Sequence, residues 1–348
     1  MTQITIAGRP IGPGHPPFVI AELSANHNGD LGQALRIIDA AQEAGADAVK
    51  IQTYRPDTIT LKSDAPDFQI TEGLWAGRTL YDLYDWAHTP WEWHEALFAH
   101  AAKRGITLFS SPFDPTAADL LESLGAPAYK IASFEAVDLP LIRYVAAKGK
   151  PMILSTGMAD LEEITEAVAA ARDGGCRELA LLHCVSGYPA PASDYNLATL
   201  GDMAARFGVP VGLSDHTLDN TTAIASVALG AGVIEKHMTL DRAGGGPDDS
   251  FSLEPAEFAA LCRDARTAWD AVGAVDYGRK SSEVANVTFR RSLYVVKDMT
   301  AGEEITGACV RSMRPGYGLA PKHLDRVIGR RAARDIAANT ALSEDMLA

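Results

Sequence analysis

The chain has 348 residues, of which 47% are hydrophobic and 22% are charged, and its formal net charge at pH 7 is -14. This composition excludes an intrinsically disordered chain, because such chains combine low hydrophobicity with high net charge. The acidic balance argues against nucleic acid or an anionic membrane as a partner, since both attract basic proteins. The longest uncharged runs, such as Asn220–Ile234, are too short for a membrane-spanning helix.

The first residues and the cysteines indicate the compartment. Residues 1–10 lack the basic and apolar regions of a signal peptide. The cysteines, at positions 176, 184, 262 and 309, form no C-x-x-C pair and are too sparse for a disulfide framework. We therefore expect reduced cysteines and a cytoplasmic protein.

Charge is distributed unevenly along the chain. Residues 1–278 carry 19 Lys and Arg against 37 Asp and Glu, whereas residues 279–348 carry 12 against 8. The opposite net charges predict two domains. We place a large domain at 1–276, a polar linker at 277–290 and a small domain at 291–348. The small domain is near the lower limit for an independent core, so we expect it to dock on a larger surface.

Short runs rich in β-branched residues recur between residues 18 and 240, each followed by a helical pattern. Eight runs are predicted as strands: Phe18–Leu23, Ala48–Tyr54, Thr107–Phe113, Ala128–Ser133, Met152–Gly157, Leu179–Ser186, Val211–His216 and Val233–Leu240. The helix that begins at Leu31 should end at Gly45, and Thr89 and Asp160 begin stretches that resemble capping boxes. Eight strand and helix units predict a (β/α)₈ barrel, with a doubly wound open sheet as the alternative.

In such barrels the active site lies at the carboxyl ends of the strands. Every predicted strand ends in polar or charged residues, although burying such groups costs free energy unless they are paired. These rim residues include Glu22, Lys50, Gln52, Ser110, Ser111, Lys130, Ser133, Ser155, Thr156, His183, Ser186, Ser214, Asp215, His216, Glu235, Lys236 and His237. The pattern favours a functional site over a purely structural rim.

His216 and His237 end the seventh and eighth predicted strands, which are neighbours in a closed barrel. Two imidazoles with open positions suit Mn²⁺, Fe²⁺, Co²⁺ or Zn²⁺, and such a cation polarises a carbonyl group. The alternative is that each histidine only forms hydrogen bonds within the rim. We expect a shared metal site, with Asp248 of the following glycine-rich segment beside it.

The same rim carries ammonium and hydroxyl donors, at Lys50, Lys130, Ser133, Ser155 and Ser214. Such donors suit the oxygens of a phosphate or carboxylate, which predicts an anion-binding cradle. One alternative pairs the lysines with Glu22, Glu135 or Glu235 as structural ion pairs. Another makes one lysine a Schiff-base nucleophile.

A long aromatic insertion follows the second predicted strand, from Leu74 to Trp93. Insertions of this length in a compact barrel often form lids or substrate walls. Aromatic faces suit sugar rings, and the alternative is that these side chains only pack.

Motifs along the whole chain resemble the sialic acid synthase family. They lie at 21–29 (AELSANHNG), 50–53 (KIQT), 110–113 (SSPF), 129–133 (YKIAS), 155–158 (STGM), 212–217 (GLSDHT), 235–237 (EKH) and 246–248 (GPD). The segments 289–294 (FRRSLY) and 314–319 (RPGYGL) resemble the C-terminal antifreeze-like (SAF) domain of that family. Within the family, segments 22–26, 79–84, 88–94 and 245–248 look closest to pseudaminic acid synthases.

The resemblance implies a metal-dependent condensation of phosphoenolpyruvate with the open-chain aldehyde of an N-acylated amino sugar, which gives a nine-carbon 2-keto acid and phosphate. For a pseudaminic-type enzyme the sugar is 2,4-diacetamido-2,4,6-trideoxy-L-altrose. The implied cation is Mn²⁺, or else Co²⁺ or Mg²⁺, on His216 and His237. Further catalytic roles fall on Glu22, Glu135 and Asp248.

The resemblance also implies which residues bind each substrate. Phosphoenolpyruvate would be held by Lys50, Ser111, Lys130, Ser133, Ser155, Ser186 and Ser214. The sugar would be held by Glu22, Gln52, Tyr188, Asp248 and Arg314. Arg314 would act in a domain-swapped homodimer, in which it contacts the sugar in the barrel of the other subunit.

One departure from the family concerns His183, where we expect Lys in many pseudaminic acid synthases, with Thr in place of Val185. We expect position 183 to face the sugar end of the site or the layer behind it, so the departure bears on the sugar. Competing functions are an N-acetylneuraminate or legionaminic acid synthase and a Schiff-base aldolase using Lys130 or Lys236. A non-catalytic sugar-binding protein is the remaining alternative.

Overall fold

The structure is a computed structural model that describes residues 3–348. The chain divides into two compact units, one ending at Gly273 and the other beginning at Ala274. The segment predicted as a linker, 277–290, belongs to the second unit, and within it Ser281–Phe289 forms a 3₁₀ helix.

The first unit begins with an antiparallel hairpin of β1 (Ile4–Ile6) and β2 (Arg9–Ile11). Its isoleucine side chains are buried in one apolar cluster with Phe18 and Val233, the first residues of two barrel strands. The hairpin therefore closes the end of the barrel at which the strands begin. The opposite end is left for the site.

Eight parallel strands follow the hairpin and close into a barrel. They are β3 (Phe18–Glu22), β4 (Ala48–Thr53), β5 (Thr107–Pro112), β6 (Tyr129–Ile131), β7 (Met152–Ser155), β8 (Leu179–Cys184), β9 (Val211–Asp215) and β10 (Val233–His237). Neighbours follow chain order, and β10 pairs with β3 to close the ring. The predicted (β/α)₈ barrel is confirmed, and the open sheet is excluded.

Helices connect the strands and cover the outside of the barrel. They are α1 (Leu31–Glu43), α2 (Pro56–Ile59), α3 (Leu80–Ala87), α4 (His94–Arg104), α5 (Pro115–Ser123), α6 (Leu139–Ala146), α7 (Leu161–Asp173), α8 (Thr199–Phe207), α9 (Thr221–Ala228) and α10 (Pro255–Val272). Both α2 and α3 lie in the insertion between β4 and α4.

One predicted capping box forms and the other does not. The Asp160 carboxylate accepts from the Glu163 amide while the Glu163 carboxylate accepts from the Asp160 amide, so the box at the start of α7 is confirmed. The box predicted at Thr89 is wrong. A 3₁₀ turn at Trp91–Trp93 precedes α4, and the Thr89 hydroxyl is buried without a hydrogen-bond partner.

The second unit contains a small antiparallel sheet with the strand order β12, β11, β13. The strands are β11 (Ser292–Val295), β12 (Val310–Met313) and β13 (Thr340–Ala341), and a short helix, α11 (Leu324–Val327), packs beside them. The strand predicted from Ser292 is therefore present. Within residues 3–348 no helix is long and apolar enough to cross a membrane, and all four cysteines are free thiols.

Candidate active site

The polar rim arises because barrel strands direct alternate side chains to the interior. On β10, the Glu235 carboxylate accepts from Lys130 inside the barrel, and His237 points the same way. Lys236, between them, turns outward and is buried against Asp215. The strand thus places charged groups on both of its faces, each with a partner.

Two lysines meet two glutamates inside the barrel. The Lys50 Nζ lies 3.0 Å from Glu22 Oε2 and 2.8 Å from Glu235 Oε1. The Lys130 Nζ donates to both oxygens of Glu235, at 2.8 and 2.9 Å. The structural ion pairs that the sequence left open therefore form with Glu22 and Glu235.

The charges of this group favour an anionic ligand. Burial raises the pKa of Glu22, whereas Lys130 and Lys50 together outweigh the burial of Glu235 and hold its pKa well below its ordinary range. Burial lowers the pKa of Lys130 to about 8, whereas Glu22 and Glu235 outweigh the burial of Lys50 and raise its pKa. The ammonium groups of the two lysines suit the phosphate and carboxylate oxygens of a small acid.

Serine hydroxyls complete this anion cradle. The hydroxyls of Ser111 and Ser155 are buried without a hydrogen-bond partner, so they are free to bind a ligand. The Gly157 amide donates to Ser133 Oγ at 3.2 Å. A Cβ at Gly157 would lie 2.3 Å from Ser186 Oγ and 2.8 Å from Ser133 Oγ. Only glycine leaves both hydroxyls accessible there.

His216 and His237 lie together, with ring centroids 5.4 Å apart. The His216 Nδ1 donates to the Val185 carbonyl at 2.8 Å. Burial lowers the pKa of His216, but its hydrogen bonds and charge interactions, first among them those with Cys184, together outweigh burial and raise that pKa above its ordinary value. The Nδ1 of His237 is buried without a hydrogen-bond partner. Burial, and then the neighbouring His216, hold the pKa of His237 well below its usual value.

A metal ligand must be deprotonated, and the lowered pKa of His237 favours that state. His216, whose pKa is raised, would have to release its proton when a divalent cation binds. Among residues 3–348, no group of three or more His, Cys, Asp and Glu side chains is arranged to hold a metal. A divalent cation at this position would therefore have His216 and His237 as its protein ligands.

A buried ion pair fixes the strands behind the histidines. The Lys236 Nζ lies 2.7 Å from Asp215 Oδ2 and donates to the Thr217 carbonyl at 2.6 Å. Both side chains of the pair are almost fully buried. Because Lys236 is held on the outer side of β10, its predicted alternative role as a Schiff-base nucleophile is wrong.

A cavity of about 190 Å³ opens at the carboxyl ends of the strands. It is lined by Ser24, Gln52, Tyr54, Ile59, Trp75, Leu83, Tyr84, Ala87, Phe113, Ala132, Ser133, Phe134, Glu135, Tyr188, His237, Pro247 and Asp248. The structure thus brings one of the two histidines to the same cavity as the residues predicted to face the sugar. Glu22 lies behind them, where it accepts from Gln52.

A hydrogen-bonded chain orients the polar side of the cavity. The Gln52 Nε2 donates to Glu22 Oε1 at 3.1 Å and to Ser24 Oγ at 2.9 Å. The Ser24 hydroxyl in turn donates to Asp248 Oδ2 at 2.5 Å. The chain fixes the rotamers of Gln52 and Asp248 before any ligand binds.

The aromatic insertion forms part of the cavity wall. The Trp75 indole donates to the Pro247 carbonyl at 2.9 Å, and its ring lies 5.7 Å from that of Tyr188. The insertion is thereby tied to the loop after β10. The expectation that it forms a substrate wall agrees with this arrangement.

Glu135 is the cavity carboxyl best placed to exchange a proton near neutral pH. It follows β6, its Oε2 is buried without a hydrogen-bond partner, and burial raises its pKa to about 7. A carboxyl with such a pKa is populated in both protonation states under physiological conditions, as a general acid or base requires.

Known proteins share this architecture. Residues 37–277 match the NeuB family and residues 290–348 match the SAF domain. The chain belongs to the NeuB family.

Several relatives of this NeuB family member match almost its full length. The pseudaminic acid synthase of Campylobacter jejuni strain 81-176 is 44% identical over 94% of this chain and 95% of its own. The pseudaminic acid synthase of Helicobacter pylori is 42% identical over 95% of this chain and 97% of its own. The N,N'-diacetyllegionaminic acid synthase of Legionella pneumophila is 36% identical over 96% and 95%.

A solved structure supports the same grouping. The N-acetylneuraminic acid synthetase of Leptospira borgpetersenii is 32% identical and superimposes with a TM-score of 0.73, over 82% of this chain and 95% of its own. The fold of this NeuB family member is therefore shared with a sialic acid synthetase.

His183 does not face the sugar end of the cavity and lies in the layer behind the site, which is the second of the two positions expected for it. Its Nε2 contacts the Tyr195 carbonyl, and the residue lies in a cleft lined by Met158, Leu161 and Met203 on the outer side of β8. Tyr195 connects it indirectly to the site, since the Tyr195 hydroxyl accepts from the His216 amide. His183 supports the backbone of a candidate metal ligand and does not line the cavity.

Sequence reasoning missed three parts of the site. Ser24, Gly157 and the aliphatic side chains of α2 and α3 were not predicted as site residues. Ser24 and Gly157 each lie within a motif already noted, so their position beside Glu22 and Ser155 was an available signal. Arg314 follows β12 in the second unit, and its contact with a sugar stays a prediction.

Proposed function

We propose that this NeuB family member is a pseudaminic acid synthase. It condenses phosphoenolpyruvate with 2,4-diacetamido-2,4,6-trideoxy-L-altrose and water to give pseudaminic acid and phosphate. The observation that carries the proposal is the anion cradle beside a histidine pair at the mouth of one barrel. The identity of 44% to a pseudaminic acid synthase supports the choice of sugar.

In the proposed reaction, carbon 3 of phosphoenolpyruvate forms a bond to the aldehyde carbon of the sugar, and the aldehyde oxygen takes up a proton. Water adds at carbon 2 and loses a proton. The carbon–oxygen bond to the phosphate then breaks while the carbon 2 hydroxyl gives its remaining proton to the departing phosphate, so that phosphate leaves and a 2-keto acid remains. Protonation of the aldehyde oxygen and deprotonation of the added water require a proton donor and a proton acceptor near the aldehyde carbon and near carbon 2.

The cradle holds the phosphoenolpyruvate end. Lys50 and Lys130 supply ammonium donors, and Ser111 and Ser155 supply hydroxyls that have no other hydrogen-bond partner. Gly157 allows the Ser133 and Ser186 hydroxyls to lie close to the backbone, where any side chain would displace them. Such a set binds the dianion in one orientation and aims its carbon 3 at the neighbouring cavity.

His216 and His237 would hold a divalent cation, Mn²⁺ or else Co²⁺ or Mg²⁺, which when bound polarises the sugar aldehyde. Gln52, Tyr188 and Asp248 orient the sugar from the cavity wall. Glu135 exchanges the proton, because its pKa of about 7 allows both states.

An N,N'-diacetyllegionaminic acid or N-acetylneuraminate synthase is the second candidate, supported by the relative that is 36% identical. Such an enzyme would act on a different sugar and would bind phosphoenolpyruvate in the same anion cradle. A Schiff-base aldolase is disfavoured, because Lys130 is bound by both Glu235 oxygens. A sugar-binding protein without catalysis has no use for the cradle.

We also propose a domain-swapped homodimer in which Arg314 reaches the sugar bound in the partner barrel. Exposed apolar side chains stand on the loops around the barrel mouth, among them Phe134, Met158 and Leu218. The second unit carries a positive net charge and the barrel a negative one. We place the dimer in the cytoplasm, where phosphoenolpyruvate is made.

The deciding experiment measures phosphate release from phosphoenolpyruvate with a panel of N-acetylated sugars. We expect rapid release with the altro-configured trideoxy sugar and poor release with N-acetylmannosamine, and ¹⁸O from the bridging position should appear in phosphate. Equal turnover of N-acetylmannosamine would contradict the choice of sugar, and label retained in the keto acid would contradict carbon–oxygen cleavage.

A further inference from the structure

The lining of the cavity changes character from one part to another. The lining side chains that carry hydrogen-bonding groups are Ser24, Gln52, Tyr54, Trp75, Tyr84, Ser133, Glu135, Tyr188, His237 and Asp248. The lining also includes four wholly apolar side chains, Ile59, Leu83, Ala87 and Phe113, which we name the apolar wall, and Tyr84 lies between two of them on α3. None of these four side chains has a polar atom.

The apolar wall comes from secondary structure and not from a free loop. Ile59 ends α2, and Leu83 and Ala87 lie one turn apart on α3. Phe113 follows β5 and packs edge-on against Tyr54, with ring centroids 5.1 Å apart. The Trp91 indole donates to the Tyr54 carbonyl at 3.1 Å, which ties the insertion to the barrel.

A preformed apolar surface distinguishes a methyl group from a hydroxymethyl group. A buried hydroxyl that finds no partner loses its hydrogen bonds to water, whereas a methyl group gains by leaving water. The polar residues of the cavity, which include His237, suit the aldehyde and amide groups of an amino sugar. The wall suits a carbon that carries no oxygen.

We propose that the apolar wall is the specificity determinant that selects a sugar whose terminal carbon is a methyl group. The inference rests on the proposed condensation and assigns recognition of one substituent, the terminal methyl group, to one set of cavity residues. Ile59, Leu83 and Ala87 contact the terminal methyl, and Phe113 closes the wall behind it.

The test compares two sugars that share configuration and both acetamido groups and differ only at carbon 6, which is either a methyl or a hydroxymethyl group. Phosphate release from phosphoenolpyruvate gives kcat/KM for each. We expect the wild-type enzyme to prefer the methyl sugar by about ten- to a hundred-fold, since an apolar pocket rejects an added hydroxyl by about that factor.

Two variants add a hydroxyl group to the wall: Ala87→Ser, which adds one oxygen atom, and Ile59→Thr, which replaces an ethyl group with a hydroxyl and makes the side chain smaller. Each should lower the preference several-fold, mainly by improving kcat/KM for the hydroxymethyl sugar. Asp85→Asn is the matched control, because Asp85 is exposed on the same helix and lies outside the cavity lining. Thermal unfolding checks that all three variants are folded.

The outcomes separate this inference from the proposed function. Equal use of both sugars by the wild-type enzyme would overturn the wall assignment and leave the condensation intact. An unchanged preference in both folded wall variants would do the same. No phosphate from any sugar would overturn the condensation, and the wall assignment with it.

Discussion

His237 has a buried ring nitrogen without a hydrogen-bond partner, and its ring centroid lies 5.4 Å from that of His216. His216→Ala or His237→Ala should abolish binding of Mn²⁺ in calorimetry and reduce activity at least a hundred-fold, since one imidazole cannot hold an exchangeable cation against water. His100→Ala is the control, because His100 lies on α4 and contacts Asp39. Full activity of either site variant after chelation would contradict the metal assignment.

Glu135 connects catalysis to stability. Its pKa is raised by burial from 4.5 to about 7, so the folded state holds the proton more tightly than the unfolded state between these values. The free energy of unfolding therefore falls as pH rises across this window. Glu135→Gln cannot ionise, so it avoids this decrease in the free energy of unfolding. The variant should be up to about 3 kcal/mol more stable than wild type at pH 8, and the two proteins should be almost equally stable at pH 4.5.

The same variant should lose about a hundred- to ten-thousand-fold in kcat, because the side chain no longer exchanges a proton. Urea denaturation at the two pH values and phosphate release check both expectations. A stability difference that does not change with pH would show that Glu135 is not a buried titrating group.

At the scale of the elements, close packing between strands leaves no room for a side chain at Gly212 in β9. A Cβ there would lie 2.3 Å from the Val233 carbonyl oxygen and 2.7 Å from Leu182 Cδ2. Gly212→Ala should destabilise the barrel by about 2–3 kcal/mol, because the neighbouring strands must separate.

Gly201→Ala provides the matched comparison, since nothing lies within 4 Å of its Cβ position on α8. Alanine favours a helix over glycine by about 1 kcal/mol, so this variant should be neutral or slightly more stable. Urea unfolding of both variants measures the difference. A neutral Gly212→Ala variant would mean that β9 and β10 separate at little cost.

Some elements were predictable from sequence because their signals are local. β-branched runs and helix caps located the barrel strands to within a few residues. The direction of each side chain was harder to predict. Strands covered on both faces are apolar throughout, as in the Leu179–Leu182 part of β8, so no alternation shows which residues face inward. The sequence therefore did not reveal that Cys184, and not His183, faces the barrel interior.

Site residues of a kind that is seldom buried could be predicted from the sequence, whereas site residues of a kind that is common in any helix could not. Charged residues at strand ends, such as Lys50 and His237, are costly to bury and therefore informative. Leu83 and Ala87 occur in an ordinary amphipathic helix, and only the course of the chain brings them to the cavity. A single sequence contains no local pattern that shows which helix residues the fold brings to the cavity.

At the scale of the whole molecule, the proposed swap predicts complementation between inactive chains. His237→Ala and Arg314→Ala chains refolded together should regain about a quarter of wild-type activity, because each mixed dimer contains one site with an intact barrel and an intact arginine. The two chains refolded separately and then mixed are the control. No recovery would show that Arg314 acts within its own chain or outside the site.

The pairing of β3 with β10 joins Phe18 to Val233, so closure of the ring must wait for 215 residues of synthesis. At about 5–20 residues per second, the first strand spends roughly 10–40 s on the ribosome with one edge unpaired. The β1 and β2 hairpin, whose apolar side chains need the closed ring, stays exposed for the same interval. Shielding of the nascent amino-terminal segment by a chaperone should therefore govern the yield of active enzyme.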